Sequence, residues 1–408
     1  MALFAVFIVL VFLHTLVSKW LENTPITVPI VFTAAGIVTF LCLPELHDRQ
    51  VNLDLWLRIA ETGLVMLLFT DASRTDLRIL KHIRNLPVRL LSTGMLLTIL
   101  LGGLGALVVF RGLSVWEAGI LAAILAPTDA GLGQIIVNSP RVPAGIRQAL
   151  NVEAGLNDGL SVPFLLFFIA LAGAGGNSHT ALSGLIVEQL GYGALVGVGI
   201  GLLGGWLLNV AHQRSWTAHS WQQFGVVALP LLCMVASEAV GASMFIAAFV
   251  AGLAVQVGFR DASKHSVAFT EDWGQLLNLA VFFFFGIRVA FAWPEFGMSH
   301  MLYAILSLTV VRMLPVALAL AGTRLSRATV LFMGWFGPRG LASIVLGLIC
   351  MEEKLHTPGV NDVRLAVMVT VLLSIFAHGL TASPGIARYA RRIEAMSSDA
   401  PERQESAV

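Results

Sequence analysis

Residues 126–161 read APTDAGLGQIIVNSPRVPAGIRQALNVEAGLNDGLS, a stretch that places Asp129, Glu153, Asn157 and Asp158 between two strongly apolar flanks. Each flank is apolar over about 20 residues, the length that a helix needs to span a membrane. An ionisable group at membrane depth costs roughly 2.5–3.5 kcal/mol on insertion scales, so such groups usually mark an ion or proton path. The stretch therefore predicts an ion path inside a membrane protein.

The composition of the whole chain supports this interpretation. Of 408 residues, 57% are hydrophobic and only 12% are charged, about half the charged share of a soluble globular protein. If the chain folded as a soluble protein, it would have too few polar residues to cover its hydrophobic core. We therefore predict an all-α polytopic membrane protein. The first apolar run begins at Ala2 with no basic region before it, and we interpret it as a retained helix rather than a signal peptide.

Several function classes lack their motifs. The three cysteines Cys42, Cys233 and Cys350 lie far apart in apolar runs, a pattern that indicates neither a disulfide framework nor a zinc site. The chain has no Walker A motif, so we do not expect ATP to drive it directly. We expect no cofactor, no nucleic-acid partner and no enzymatic activity.

The apolar pattern predicts about thirteen membrane spans. They cover residues 2–18, 25–44, 55–71, 87–110, 116–137, 147–173, 181–210, 222–240, 242–258, 269–291, 300–321, 328–350 and 363–383. An odd number of spans puts the two termini on opposite sides of the membrane.

Lysine and arginine are about three times as frequent on one set of connections as on the other, and the rule that positive loops stay inside makes that set cytoplasmic. Its richest members are Arg74, Arg78, Lys81, Arg84 and Arg89 after the third span, and Arg388, Arg391 and Arg392 after the last. We therefore predict a cell (inner) membrane protein with its N-terminus outside, its C-terminus inside, and a short cytoplasmic tail at residues 385–408.

The fifth span is interrupted by Pro127, Gly131 and Gly133, because proline removes a helical donor and glycine weakens helix. Broken backbone at membrane depth is tolerated only in a protein interior or a water-lined cavity. Its freed carbonyls can ligate a cation there.

The twelfth span is interrupted in the same way at Gly337, Pro338 and Gly340, with Arg339 at the break. The two breaks lie seven spans apart, the offset that an inverted repeat of spans one to six and eight to thirteen would produce. Paired broken helices of such a repeat predict a single site where the two helices cross. Two unrelated proline kinks are the alternative.

The sixth span carries the carboxylates on defined faces. At 3.6 residues per turn Glu153 and Asn157 share one face, Ala154 and Asp158 share the next, and Ser161 lies one turn further. Asp158 is thus expected to project toward a point that the broken fifth span can line with Asp129 and Thr128. Oxygen ligands suit hard cations such as Na⁺, Li⁺ or K⁺.

A carboxylate in such a place can hold a proton or a cation, because burial favours its neutral form and a bound cation favours its charged form. That competition is the minimal chemistry of an antiporter, and we assign it to Asp158. The alternative for Asp158 is a buried, satisfied polar residue. We expect Glu153 to have a structural role, pairing with Arg339 and holding Asn157.

These residues also carry a resemblance to a known family. The chain resembles the monovalent cation/proton antiporter-1 family, in its NhaP-type and eukaryotic Na⁺/H⁺-exchanger branch. The matching motifs are APTD at 126–129, RQALNVEAGLNDG at 147–159, FIAAFVAGL at 245–253, FFFFGI at 282–287, GPRGLAS at 337–343 and AHGLTA at 377–382.

The resemblance implies an NhaA-like fold in which a core, here about residues 87–173 and 300–384, moves like an elevator against dimerisation helices, all within a transmembrane domain at 1–384. It implies a homodimer that exchanges Na⁺ or Li⁺ for H⁺, and an exchange of one cation per proton, since Asn157–Asp158 resembles the electroneutral branch. The implied ion-binding residues are Asp158, Asp129, Thr128 and Ser161, and the supporting ones are Asn157, Glu153 and Arg339.

The chain departs from the family at two positions. Ala154 stands where the family usually has a serine whose hydroxyl is a ligand, a change that could shift selectivity toward K⁺ unless water fills the gap. Some members have a glutamate after LLF in the third span; here Thr70 and Asp71 follow it, and either could substitute, although Asp71 at the span's inner end is expected to be interfacial.

Three other functions compete with Na⁺/H⁺ exchange. A K⁺/H⁺ antiporter would use the same fold and site. An ion channel would need a filter such as TVGYG, which the sequence lacks. An intramembrane aspartyl protease could use Asp129 and Asp158, but neither has the flanking Gly-x-Gly-Asp context of that class.

Overall fold

A computed structural model describes residues 2–21, 24–43, 53–75, 85–173, 182–259, 263–352, 357–396 and 402. Every regular element within these ranges is helical, and they contain no strand. Arg78, Lys81 and Arg84, which entered the orientation prediction, lie outside the described residues, as do 397–401 and 403–408 of the predicted tail.

The helices follow the predicted apolar stretches closely. They are α1 (Ala2–Leu21), α2 (Val28–Cys42), α3 (Leu53–Ser73), α4 (Asn85–Val109), α5 (Val115–Ile124), α6 (Ala130–Val137), α7 (Ala144–Gly173), α8 (Gly193–Gln213), α9 (His219–Val240), α10 (Met244–Gly258), α11 (Ser263–Ala292), α12 (Met298–Leu308), α13 (Val310–Ala319), α14 (Arg327–Trp335), α15 (Leu341–Glu352) and α16 (Val360–Glu394). Short helical turns lead into α8 from Leu182.

Both predicted breaks are confirmed, because residues 125–129 separate α5 from α6 and residues 336–340 separate α14 from α15. Among the described helices, eight are long and apolar enough to cross a membrane. The full count of thirteen crossings and the inverted repeat stay predictions. Helix α16 continues through Pro384 to Glu394, so the first ten residues of the predicted tail are helical.

One group of helices is packed backbone to backbone. Four glycines of α8 lie directly against α10, where a methyl group at Gly197 would come within 2.4 Å of the Ala247 carbonyl and one at Gly201 within 2.6 Å of the Ala251 carbonyl. Small residues at this spacing let membrane helices approach closely. We call this group, formed by α2, α3, α8, α9, α10 and α11, the framework.

Helices α4 to α7 and α12 to α16 form the second group, which we call the bundle, and α1 contacts α2 of the framework. Helix α7 of the bundle contacts α10 of the framework, and α15 contacts α3. Both broken helices belong to the bundle. Their breaks, together with the carboxylates of α7, therefore lie beside the framework rather than in the lipid-facing surface.

Candidate cation site

The two breaks contact each other at the centre of the bundle. The backbone N–H of Asp129 donates to the carbonyl of Pro338 over 2.8 Å, and the Ser343 hydroxyl donates to the carbonyl of Ile124 over 3.0 Å. Backbone groups freed by each break are thus satisfied by the other, as burial away from water requires. The sequence prediction that the two interruptions form one site is consistent with this contact.

The side chain of Asp129 caps the N-termini of α6 and α15 at this crossing. Its Oδ1 accepts from Gly131 N–H (2.7 Å) and Leu132 N–H (3.2 Å) at the start of α6, and its Oδ2 accepts from Leu341 N–H at the start of α15. A carboxylate is stabilised at a helix N-terminus by the partial positive charge there. A methyl group at Gly340 would lie 1.9 Å from Oδ2, so only glycine lets the two helix ends share this side chain.

Arg339 places a positive charge near the C-terminal end of α5. Its side chain is fully buried, and Nη1 donates to the Pro127 carbonyl over 2.9 Å, just beyond the C-terminal end of α5. Its backbone N–H donates to the Ser374 hydroxyl of α16. A cation suits the partial negative charge of a helix C-terminus, so the crossing is balanced by one acid and one base.

The predicted pairing of Glu153 with Arg339 is wrong. Glu153 instead accepts two hydrogen bonds from Arg312 of α13, at 2.6 Å from Nη1 and 3.1 Å from Nη2. Both side chains are buried. The guanidinium fits because Gly337 lies over it, where a methyl group would be 2.2 Å from Nε. Arg312 lies within an apolar run, where a charged side chain needs a partner, and Glu153 is that partner.

Asp158 lies in a cavity of about 560 Å³ between the bundle and the framework, which Asp129 also lines. Asp158 is 3% exposed, and its Oδ1 has no hydrogen-bond partner in the described part of the chain. Polar oxygens buried without a partner are rare in native proteins. The site residue chosen from sequence thus presents an unpaired carboxylate oxygen next to the broken helix.

The other predicted site residues surround Asp158 without all facing the cavity. Asn157 donates through Nδ2 to the Thr128 hydroxyl over 2.9 Å. The Ser161 hydroxyl donates to the backbone carbonyl of Asp158 over 2.8 Å and is fully buried. Thr128 and Asn157 therefore tie α7 to the first break, while Ser161 supports the helix backbone.

The framework supplies the opposite wall of the cavity, which includes Asp71 and, on α11, Gln275 and Asn278. Asp71 thus faces the cavity instead of being purely interfacial. The Thr70 hydroxyl is turned into its own helix, where it donates to the Leu67 carbonyl over 2.9 Å. Of the two residues that could replace the family glutamate, Asp71 is the one that lines the cavity.

A polar cluster closes one side of this space. Glu271 of α11 pairs with Arg74 and accepts from Gln134 of α6 and from Gln275, each over 3.1 Å. Gln134 therefore ties the first broken helix of the bundle to the framework.

Comparison with known proteins decides the family. A model of the family described as the transmembrane sodium/hydrogen exchanger matches residues 6–387. The chain belongs to this family. The sodium/hydrogen exchanger assignment agrees with the resemblance that the motifs indicated.

The individual relatives of this chain are distant. A probable Na⁺/H⁺ antiporter of Schizosaccharomyces pombe is 27% identical over 61% of the chain and 35% of that protein. The K⁺/H⁺ antiporter NhaP of Alkalimonas amylolytica is 24% identical over 81% of the chain and 57% of that protein. The chain thus spans about a third to a half of the length of these relatives.

A solved structure shows the same fold. The sodium proton antiporter MjNhaP1 of Methanocaldococcus jannaschii at pH 8 superposes with a TM-score of 0.76 at 20% identity, covering 96% of this chain and all of that one. The chain thus shares its fold with this solved antiporter over nearly its whole length.

Ala154, where the resemblance led us to expect a serine, borders a second, small cavity. Thr128, Asp129 and Pro338 also line it, and its volume is about 20 Å³. A cavity needs roughly 10–15 Å³ by this measure to hold one water. The position therefore has room for a water beside the first break.

Sequence reasoning missed Asn278 and misassigned the partner of Glu153. Asn278 is a neutral residue within an apolar run, so nothing in the pattern singled it out. Arg312 did carry a signal, because a mid-span arginine needs a partner, but several buried acids and bases were available and only the tertiary structure pairs them.

Proposed function

We propose that this exchanger is a secondary active antiporter that exchanges Na⁺ or Li⁺ for H⁺, with one cation moved per proton. Asp158 carries either the proton or the cation. The supporting observation is its buried carboxylate oxygen, which has no partner within the described part of the chain and lies in the cavity beside the first break. A carboxylate held in this way is stable only with a proton or a cation bound, since an unpaired buried charge is costly.

In this proposal the main role of Asp129 is to fix the positions of the two helix ends that surround the site. Its two oxygens already accept three backbone N–H groups, which fixes α6 and α15 around Asp158. A carboxylate has about four lone-pair sites, so one remains for a cation. Thr128 and the water-sized cavity beside Ala154 would complete the oxygen ligands, and Ser161 would act through the Asp158 backbone.

Alternating access would follow from motion of the bundle against the framework. The cavity is lined by Ser18 at the end of α1, Asp71 at the end of α3 and Asn138 at the end of α6, which are the ends predicted to be cytoplasmic. On the other side Trp56, Phe285 and Ile344 pack together around only a small apolar space of about 40 Å³. The conformation would therefore be inward-open, and an elevator movement of a homodimer would expose Asp158 outward.

A K⁺/H⁺ antiporter is the second candidate. Ala154 removes a hydroxyl that the family usually supplies, and a relative from Alkalimonas amylolytica is named a K⁺/H⁺ antiporter. A site with fewer protein oxygens favours the larger and more weakly hydrated cation. A water in the small cavity beside Ala154 would supply the missing oxygen ligand and so maintain selectivity for Na⁺.

The test is dissipation of an imposed pH gradient in proteoliposomes on addition of Na⁺, Li⁺ or K⁺. Asp158→Asn removes the proton- and cation-binding oxygen while keeping the side-chain shape. Asp54→Asn is the matched control, because Asp54 is an exposed carboxylate at the start of α3.

If Na⁺ or Li⁺ collapses the gradient, Asp54→Asn does the same and Asp158→Asn is silent, the proposal stands. If only K⁺ acts, the second candidate replaces it. Folded wild-type protein that responds to no cation, or Asp158→Asn with wild-type rates, would show the proposal to be wrong.

A further inference from the structure

Asn278 lies on the framework wall of the cavity that holds Asp158 and Asp129. Its side chain belongs to α11 and is 9% exposed, and its amide oxygen has no hydrogen-bond partner among the described residues. Leaving a buried polar atom unpaired is unfavourable, and a leucine of nearly the same size would avoid it. The position therefore keeps a polar group that packing does not require.

The amide of Asn278 faces the first turn of α6. A methyl group built on Gly131 would lie 3.5 Å from Nδ2 of Asn278 and 3.0 Å from Oδ1 of Asp129. The amide and the carboxylate thus flank the same point from the two walls of the cavity. The two ends of an amide exchange by a 180° rotation, which would bring the oxygen to that point.

Gln275, one turn earlier on α11, shows the contrast. It lines the same cavity, but it is only half-buried and its Nε2 donates to Oε1 of Glu271 over 3.1 Å. Oδ1 of Asn278, by contrast, is fully buried and has no hydrogen-bond partner among the described residues. An amide oxygen is a good ligand for hard cations, and unlike a carboxylate it does not take up a proton at ordinary pH.

We propose that Asn278 is a ligand of the cation but not of the proton. Its amide oxygen replaces one water of the cation bound at Asp158 and contributes nothing to proton binding. This inference rests on the proposed exchange at Asp158. Because Asn278 belongs to the framework and Asp158 to the bundle, the ligand is available in the conformation with this cavity open, and the cation is favoured over the proton on that side only.

The test compares Asn278→Leu with wild type and with Gln275→Leu in proteoliposomes, measuring apparent KM and Vmax for Na⁺, Li⁺ and K⁺. Asn278→Leu should raise KM about tenfold, the effect of losing one oxygen ligand, with Vmax changed less than twofold and with unequal changes among the three cations. Gln275→Leu should leave the KM ratios among the cations as in wild type.

Asn278→Asp provides the second arm. The titratable groups already lining the cavity are Asp71, Asp129, Asp158 and His14, and a further carboxylate would add a second group at which protons and cations compete. KM for Na⁺ should then fall at high pH and rise more steeply on acidification than in wild type. A residue that only packs would not change the pH dependence of KM.

The two proposals fail in distinguishable ways. If wild type shows no exchange, the proposed function fails and this inference falls with it. If wild type exchanges and Asp158→Asn is silent, but Asn278→Leu and Asn278→Asp keep the wild-type KM, cation order and pH dependence, only the role of Asn278 is overturned. If Asn278→Leu does not fold, the pH dependence of KM in Asn278→Asp decides.

Discussion

Leu341 donates its backbone N–H to Oδ2 of Asp129, so a carboxylate in the first break caps α15, the helix that begins after the second break. The other oxygen of Asp129 closes α6. Asp129 therefore accepts hydrogen bonds from three backbone N–H groups, whereas Asp158 has an oxygen with no partner among the described residues. Two carboxylates of one cavity thus have different roles, one holding the architecture and the other free to bind.

This difference predicts opposite effects of the same substitution on stability. Asp129→Asn replaces an acceptor by an amide donor opposite backbone N–H groups and should cost about 1–3 kcal/mol of stability. Asp158→Asn removes an unpaired buried carboxylate and should leave the unfolding temperature unchanged or raise it. Thermal unfolding of both variants in detergent checks this, and a larger loss for Asp158→Asn would contradict the assignment.

Two glycines of the broken helices, Gly340 and Gly133, should respond differently to substitution by alanine. Gly340→Ala places a methyl group against Oδ2 of Asp129 and should abolish transport and cost about 1–3 kcal/mol or more through overpacking. Gly133→Ala meets nothing within 4 Å, and alanine favours helix by up to about 1 kcal/mol. Gradient dissipation and unfolding temperature should thus be preserved in Gly133→Ala, and equal damage in both variants would contradict the geometry.

The buried pair of Arg312 and Glu153 predicts strong coupling. Removing one partner of such a pair costs about 3–5 kcal/mol because the other charge is left buried and uncompensated. Arg312→Leu and Glu153→Leu should each be destabilised by this much, and the double variant by less than either. A double-mutant cycle measured by denaturant unfolding tests it. The cycle of Glu153 with Arg339 serves as the control, and stronger coupling there would restore the pairing expected from sequence.

Competition at Asp158 predicts how transport depends on pH. On the proposed mechanism a proton and a cation bind the same carboxylate. Acidification should then raise the apparent KM for Na⁺, approaching about tenfold per pH unit in the acid range, with Vmax at saturating Na⁺ less affected. Initial rates over a matrix of Na⁺ concentrations and pH values measure this. An apparent KM that does not change with pH would mean that the proton and the cation use different groups.

The sequence predicted the parts of the site whose signals are local. Pro127 and Pro338 mark breaks because proline interrupts helix wherever it stands, and the spacing of Glu153, Asn157 and Asp158 fixes their faces because helical periodicity is local. The partner of Glu153 could not be predicted in this way, since Arg312 and Arg339 are both buried bases from distant segments. Asp71 and Asn278 required the packing of α3 and α11 to be known before either could be placed on the cavity wall.

The hydrogen bond between Leu341 and Asp129 joins residues 212 positions apart in the chain. At 5–20 residues per second, synthesis of the intervening segment takes roughly 10–40 s. During that time α6 is already in the membrane while the donor for Oδ2 of Asp129 has not yet been made. The first half of the protein must therefore wait in an incomplete state, and the crossing can assemble only late in biogenesis, when the second break is inserted beside it.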